Sequence, residues 1–380
     1  MKLYDTRTGR LAEFVAGRTV RVYACGITPY DAAHVGHAFT YTVFDALVRY
    51  LQHEGHRVRY ARNITDLDDD ILGKARELGV PFDELARREV DRFDHELLQL
   101  GLRPPDVVPW ATETVPAIVA SVRGLLRRGC AYALEDGRVY FDVRAATGLG
   151  ALSRLDRAAM LEQFAEKGGD PEAPGKRDSL DFLLWQPSGP GEPSWPTDWG
   201  QGRPGWHIEC SVMAMEHLGN VIDIHGGGSD LIFPHHEAEI LQSEHLTGQR
   251  PFARFWVHTG MVGLDSGKMS KSRGNLVFLS DLLERFEPQA VRRYLLEHHY
   301  RSDWEFADGA LEDAATACKR WREGADGDRR APALARAFHE AMSNDLDTPS
   351  AMALLDEAAA AGAGRTLRGL AGVLGFDLDV

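Results

Sequence analysis

The 380-residue chain holds only four cysteines, Cys25, Cys130, Cys210 and Cys318, and no CxxC pair. That excludes a disulfide framework and a zinc-ribbon pattern. No apolar run approaches the ~20 residues needed to span a bilayer. The N-terminus, MKLYDTRTGRLAEF, lacks an apolar signal core. A cytoplasmic protein without a membrane partner is therefore expected. Basic residues are in deficit, with 43 Lys and Arg against 57 Asp and Glu and a net charge of −14. A non-specific nucleic-acid binder, which needs a basic footprint, is disfavoured. A specific RNA contact through a local patch is not excluded by that sum. Hydrophobic content of 44% and charged content of 26% are those of an ordinary globular protein. The length allows two or three domains around a large core.

The order of elements points to an α/β fold. Residues 20–24 (VRVYA) read as a short buried strand. Gly26, Pro29 and Gly36 punctuate a loop after it. From about Ala38 to His53, Phe39, Val43, Leu47, Tyr50 and Leu51 recur at helical spacing. Residues 57–61 (RVRYA) suit a second strand, and RNITDLDDDI follows as a polar loop opening another helix. Strand, loop, helix, strand is a βαβ unit, the start of a parallel sheet. Residues 71–130 read mostly as amphipathic helix, broken by RPPD, and residues 137–143 as a strand. Residues 166–204 are rich in Gly, Pro and charge and read as an irregular insertion. The α/β pattern resumes with WHIECSVMAMEHL and VIDIHGGGSDLIF, and the chain is largely helical after Arg273. No internal repeat is present.

Two short motifs suit phosphate. His34-Val35-Gly36-His37 falls at a loop-to-helix junction. A helix N-terminus offers free N–H groups and a positive dipole end, imidazoles can donate to phosphate oxygens, and Gly36 permits close approach. Lys268-Met269-Ser270-Lys271-Ser272, preceded by Asp265-Ser266-Gly267, places two lysines among small residues. Each motif alone is more often an ordinary polar loop. Cys25, Cys210, His235, His236, Glu237 and Glu239 are metal-ligating types, and His235 and Glu239 share one helix face. Spacing alone does not predict zinc, since free cysteines are more often small buried hydrophobes.

In this order on an α/β chain, HVGH and KMSKS resemble the HIGH and KMSKS motifs of class I aminoacyl-tRNA synthetases. The resemblance implies a Rossmann-type parallel sheet with a connective insertion and a C-terminal helical domain. It implies that ATP, with Mg2+, is bound at Gly36, His34, His37, Gly226, Gly227, Gly228, Asp230, Lys268, Met269, Ser270 and Lys271. Of these, His34, His37, Lys268 and Lys271 would stabilise the α-phosphate transition state. CGIT, RNITDLDD, GRPGWHIECS and DIHGGGSDLIFPHHEAE are similar to the cysteine-specific branch of that class. This implies one Zn2+ per chain held by Cys25, Cys210, His235 and Glu239, with Gly26, Thr28, Thr65 and Trp206 around a substrate cysteine. A zinc ion would select a thiol over a hydroxyl without editing. Cys130 and Cys318 match no motif and are expected to be structural.

The acceptor of the activated cysteine is a separate question. ACGITPYDAAHVGHAFTY, FAEKGGDPEAPGKRDSLDFLLW, GPGEPSWP and GMVGLDSGKMSKSRGNLVF resemble the mycothiol-pathway cysteine ligases, truncated relatives of cysteinyl-tRNA synthetase. The resemblance implies transfer to the amine of glucosaminyl-inositol. SNDLDTPSAMALLDE resembles the helical domain after the synthetase core, but nothing corresponds to the anticodon-recognising region. From Phe306 onward 13 acidic face 8 basic side chains, a poor surface for RNA phosphates. Asp70 stands where the synthetases usually have Lys. His225 and Glu239 are synthetase-like, whereas the ligases tend to lack the fourth, acidic ligand. Transfer to another small amine, a truncated cysteinyl-tRNA synthetase and a non-catalytic binding module stay open. The expected partners are L-cysteine, ATP and an aminosugar, with no tRNA, acting on a monomer. The expected division is residues 1–105 and 205–262 as two catalytic halves, 106–204 as insertion, 263–305 as the KMSKS region, and 306–380 as a truncated helical bundle. Asp66, Asp68 and His225 are all conceivable bases for the transfer. Residues 66–70 serve equally well as a capped helix start.

Overall fold

The structure, a computed structural model, describes residues 1–264, the backbone of 267–268, and 276–378. At its centre is a four-stranded parallel sheet in the order Ala253–Thr259, Ile222–Gly228, Thr19–Ile27, Arg57–Ile64. The helix Val35–His53 makes the crossover between Thr19–Ile27 and Arg57–Ile64. It begins three residues before the apolar spacing suggests, because His34, a polar residue, caps it. The chain then builds outward on the other side through Ile222–Gly228 and Ala253–Thr259. Thr19–Ile27 and Ile222–Gly228 are thus the neighbours at which strand order reverses, and the crevice beyond their C-terminal ends is where such sheets bind ligands.

Glycine lets the strands close up at that crevice. A Cβ on Gly26 would overlap the carbonyl oxygen of Asn63, and one on Gly226 that of Val257. Gly226 is in register with Ala24 on the neighbouring strand. The ends of both central strands therefore reach the crevice as nearly bare backbone.

One sheet face packs against Val35–His53 and the C-terminal helices Pro288–Leu296, Asp308–Ala325, Pro332–Ser343, Thr348–Ala360 and Gly364–Val373. Val20, Val22, Phe44, Leu295, Leu355 and Leu367 all belong to this single core. The other face packs against Ala111–Arg127 and Trp206–Leu218, with Tyr23, Ile118, Met213 and Trp256 in a second core. Among the described residues, no helix is long and apolar enough to cross a membrane.

The segment 166–204 is not irregular. It supplies the strands Phe182–Gln186, Trp195–Thr197 and Gly200–Pro204 to a five-stranded antiparallel sheet completed by Ala131–Ala133 and Val139–Phe141. Its loops are held by Asp181, which is fully buried. The carboxylate accepts from Tyr132 Oη at 2.6 Å, Val143 N at 2.9 Å and Asp178 N at 2.9 Å. One buried carboxylate with several donors thus organises a stretch whose composition reads as loop.

Candidate active site

The phosphate end is built at the start of Val35–His53. His34 has extended backbone (φ −109°, ψ 169°), and its Nδ1 accepts from Gly36 N at 3.1 Å. A Cβ on Gly36 would press on that imidazole, so glycine permits the cap. His34 and His37 stack with ring centroids 3.8 Å apart, and both line a cavity of about 820 Å3. Val35 N donates to Val277 O and Leu279 N to Ala33 O, both at 2.9 Å. The chain just after the KMSKS motif is therefore clipped to HVGH across more than two hundred residues. Gly267–Lys268 pairs antiparallel with Val262–Leu264, whose Val262 lines the cavity. Met269, Ser270 and Lys271 lie outside the described residues, as does the side chain of Lys268.

Beneath the floor lies a group of buried titratable residues, of which Cys25 lines the cavity while Cys210, His235 and Glu239 lie behind it. Cys25 lies near the C-terminal end of the central strand Thr19–Ile27, Cys210 lies on Trp206–Leu218, and His235 and Glu239 lie on the helical run after Ile222–Gly228. One ligand atom from each lies within 4.8 Å of the others, and all four residues are buried. His235 Nε2 is 3.2 Å from Glu239 Oε1, and Cys25 Sγ is 3.7 Å from it. A hydrogen bond from Cys25 pushes the Cys210 thiol down to about 6 against its burial, with His235 assisting. Burial would lower His235, but Cys210 and Glu239 raise it to about 10. Burial holds Cys25 well above the usual thiol range. Charge is thus concentrated where little water reaches, an arrangement that a bound cation would offset.

Two further histidines that the sequence did not assign to the metal-binding set, His225 and His236, join this group. His225 Nε2 lies 2.8 Å from Glu239 Oε2, and His236 Nε2 lies 3.2 Å from Cys25 Sγ. Cys25, His225, His236 and Glu239 thus form a second overlapping donor set. His236 Nδ1 pairs with His258 Nε2 at 2.7 Å, and His258 Nδ1 with Thr6 Oγ1 at 2.8 Å. Burial, with His258 and His225, keeps His236 well below the usual imidazole range. The first set offers two thiols and suits zinc better than the second, which offers one. His207 Nδ1 lies 3.0 Å from His235 Nδ1, and Trp206 stacks on His235 at 4.4 Å. The partner on one nitrogen directs the other towards the donor set.

The cavity joins the two ends. Cys25, Gly26, Thr28 and Trp206 line it on the floor side, and Gly228 and Asp230 on the flank. Thr65 does not reach the wall; it is buried and accepts from Asn63 Nδ2 at 3.0 Å. Gly226 and Gly227 also lie behind the wall, within the sheet. Of the three conceivable bases, Asp66 is taken up by Thr112 N at 2.9 Å and Thr112 Oγ1 at 2.6 Å. His225 is fully buried among the floor groups. Asp68 lines the cavity.

The opposite wall comes from the insertion: Tyr140, Phe164, Lys167, Lys176 and Gln186. Lys167 Nζ donates to Phe233 O at 2.6 Å and to Asp230 O, tying the insertion to the loop that carries Asp230. Within the Gly- and Pro-rich stretch, no periodicity or spacing singles out Lys167, Lys176 or Gln186.

The sheet, its crevice and the two ends of the cavity define a class I synthetase-type catalytic domain. Residues 11–316 match the family model described as the tRNA synthetases class I (C) catalytic domain, and the chain belongs to that family. Among curated relatives, the chain is 49% identical over 365 residues to the L-cysteine:1D-myo-inositol 2-amino-2-deoxy-alpha-D-glucopyranoside ligase of Parafrankia sp. (strain EAN1pec), covering 95% of this chain and 82% of that one. It is 48% identical over 361 residues to the ligase of the same name from Thermobifida fusca (strain YX), covering 94% and 87%. Among solved structures, Mycobacterium tuberculosis methionyl-tRNA synthetase in complex with methionyl-adenylate superposes with a TM-score of 0.63 at 17% identity, covering 94% of this chain and 89% of that one. The last likeness concerns the fold alone.

Proposed function

We propose that the chain is an ATP-dependent ligase that activates L-cysteine as cysteinyl-adenylate and transfers it to the amine of glucosaminyl-inositol, releasing pyrophosphate and AMP. One observation carries this reading. The four donors Cys25, Cys210, His235 and Glu239 converge, and Cys25 brings that cluster to the wall of the same cavity that the His34–His37 stack lines.

In this reading the donors hold one Zn2+, which when bound supplies a site that prefers a thiolate to a hydroxyl. Gly26, Thr28 and Trp206 enclose the cysteine, with Thr65 supporting from behind. Asp230 takes the ribose beside Gly228, and Gly226 and Gly227 keep the strand ends slim. His34 and His37 donate to phosphate oxygens of MgATP at the helix N-terminus, where charge develops as the carboxylate displaces pyrophosphate. Lys268 and Lys271, flanking Met269 and Ser270, complete the clamp. Residues 1–105 and 205–262 form the catalytic halves, 106–204 the insertion, 263–305 the KMSKS region and 306–380 the helical bundle, acting as a monomer without tRNA.

The test is pyrophosphate exchange followed by product mass. Exchange should depend on cysteine and be negligible with serine, and glucosaminyl-inositol should yield the cysteinyl amide and AMP with no RNA present. Absence of exchange with zinc-loaded protein would sink the reading. Charging of tRNA in place of the amine would favour the synthetase alternative.

A further inference from the structure

We propose that Asp68 is the proton acceptor of the transfer step. The inference rests on the adenylation reading above and concerns its second half. The acceptor nitrogen forms a bond to the acyl carbon, the bond from that carbon to the phosphate oxygen breaks, and AMP leaves with the electron pair. The nitrogen still carries a surplus proton, and a group on the cavity wall must take it.

The geometry selects Asp68 from the carboxylates nearby. It is the N-cap of the helix Asp69–Leu78, with Oδ1 accepting from Asp69 N at 2.6 Å. That bond fixes the carboxylate and leaves the other oxygen to the cavity side, where Oδ2 lies 3.4 Å from Thr28 Oγ1. Thr28 is three residues beyond Cys25, so Oδ2 stands on the wall leading up from the floor where a substrate thiol is held. Asp66 is capped by Thr112, and Asp69 is drawn away by Arg203.

The groups facing Asp68 suit the role. Tyr30, on the loop after the central strand, and Asp70 line the same stretch of wall. Asp69 and Arg203 form an ion pair beside it, and Glu209 lies buried behind, its carboxyl pushed well above the usual range chiefly by burial. Burial first, then Asp70, lifts Asp68 to about 6. The carboxylate is therefore the main form at neutral pH, yet basic enough to take a proton.

Asp68→Asn tests this, because asparagine is an equally good helix cap and the fold is retained. Transfer to glucosaminyl-inositol should fall about 100- to 1,000-fold, while cysteine-dependent pyrophosphate exchange changes by less than about threefold. Hydroxylamine, small enough to lose its proton to water, should still trap the adenylate in the variant. In single turnovers the native enzyme should gain transfer rate as pH rises through about 6, where Asp68 ionises. The variant should lack that limb and keep only the limb set by the acceptor amine itself. Asp68→Glu should restore part of the rate. Native transfer rates in Asp68→Asn would overturn the inference. So would a raised KM for cysteine in exchange, which would make Asp68 a holder of the substrate ammonium. Loss of exchange in the native enzyme would fail the adenylation reading instead.

Discussion

At Cys210 one atom separates two chemistries. Its sulfur lies with Cys25, His235 and Glu239 among donor atoms within 4.8 Å of one another. Serine in its place would keep the size and remove the soft ligand, and a neutral hydroxyl is a poor partner for zinc. Cys210→Ser should therefore lower bound zinc to below about half an ion per chain and lower cysteine-dependent exchange by about 100-fold or more, together. Metal analysis on the same preparation used for exchange checks this. Activation that survives with the metal gone would refute thiol selection through the ion. The four donors could be named from motif resemblance, yet their spacing in the chain signals nothing. They come from three elements, and only the fold brings Cys25 and Cys210 together. The roles of His236 and His258 were hidden for the same reason: only the fold brings His236 to Cys25 and His258 to His236.

At the scale of one element, the helix Val35–His53 links the active site to the C-terminal helices. Its N-terminus carries His34 and His37, and its middle carries Asp45, which is buried. Asp45 Oδ2 accepts from Arg49 Nε at 2.7 Å and pairs with the fully buried Arg292 at 2.5 Å. Arg292 also donates to Leu374 O at 2.7 Å and Leu100 O at 3.2 Å. Removing one partner of such a pair leaves a buried charge uncompensated, so Asp45→Asn should destabilise the chain by about 3–5 kcal/mol in denaturant titration. Burial would raise the Asp45 carboxyl, but Arg292 and Arg49 outweigh it and lower it. A depressed carboxylate adds stability above the unfolded pKa of about 3.9, and that stability is lost as pH falls through the folded value. The stability curves of the native chain and the Asp45→Asn variant should therefore converge below pH ~4; a gap independent of pH would assign the loss to packing. The apolar face of this helix was legible because spacing records burial locally. Its pair to Arg292 was not, because the two residues stand 247 positions apart. Of the insertion sheet, the strand Val139–Phe141 was legible and the strands within 166–204 were not, since short strands between glycines and prolines carry little periodicity, and their anchor Asp181 looks like any surface aspartate until the fold buries it.

At the scale of the whole molecule, the cavity exists only because the insertion closes over the sheet crevice. The Asp69–Arg203 ion pair is one tie between the insertion and the catalytic half; another is Lys167, whose ammonium donates to Phe233 O and Asp230 O. Hydrogen bonds from a charged donor are worth about 1.5–3 kcal/mol each, so this contact is a substantial part of the closure. Lys167 lies on the cavity wall, at the end of the helix Arg157–Glu166, and the backbone it grips carries Asp230, the residue proposed to take the ribose. Lys167→Met keeps the aliphatic stem and removes the donor. It should raise the KM for ATP in exchange about tenfold with a smaller change in kcat, because it loosens a binding wall and not the reacting groups. Amide hydrogen exchange should quicken in residues 157–170 and 229–236 while the central sheet stays protected. A variant with native KM and native protection in both segments would show that the insertion closes the cavity without this lysine.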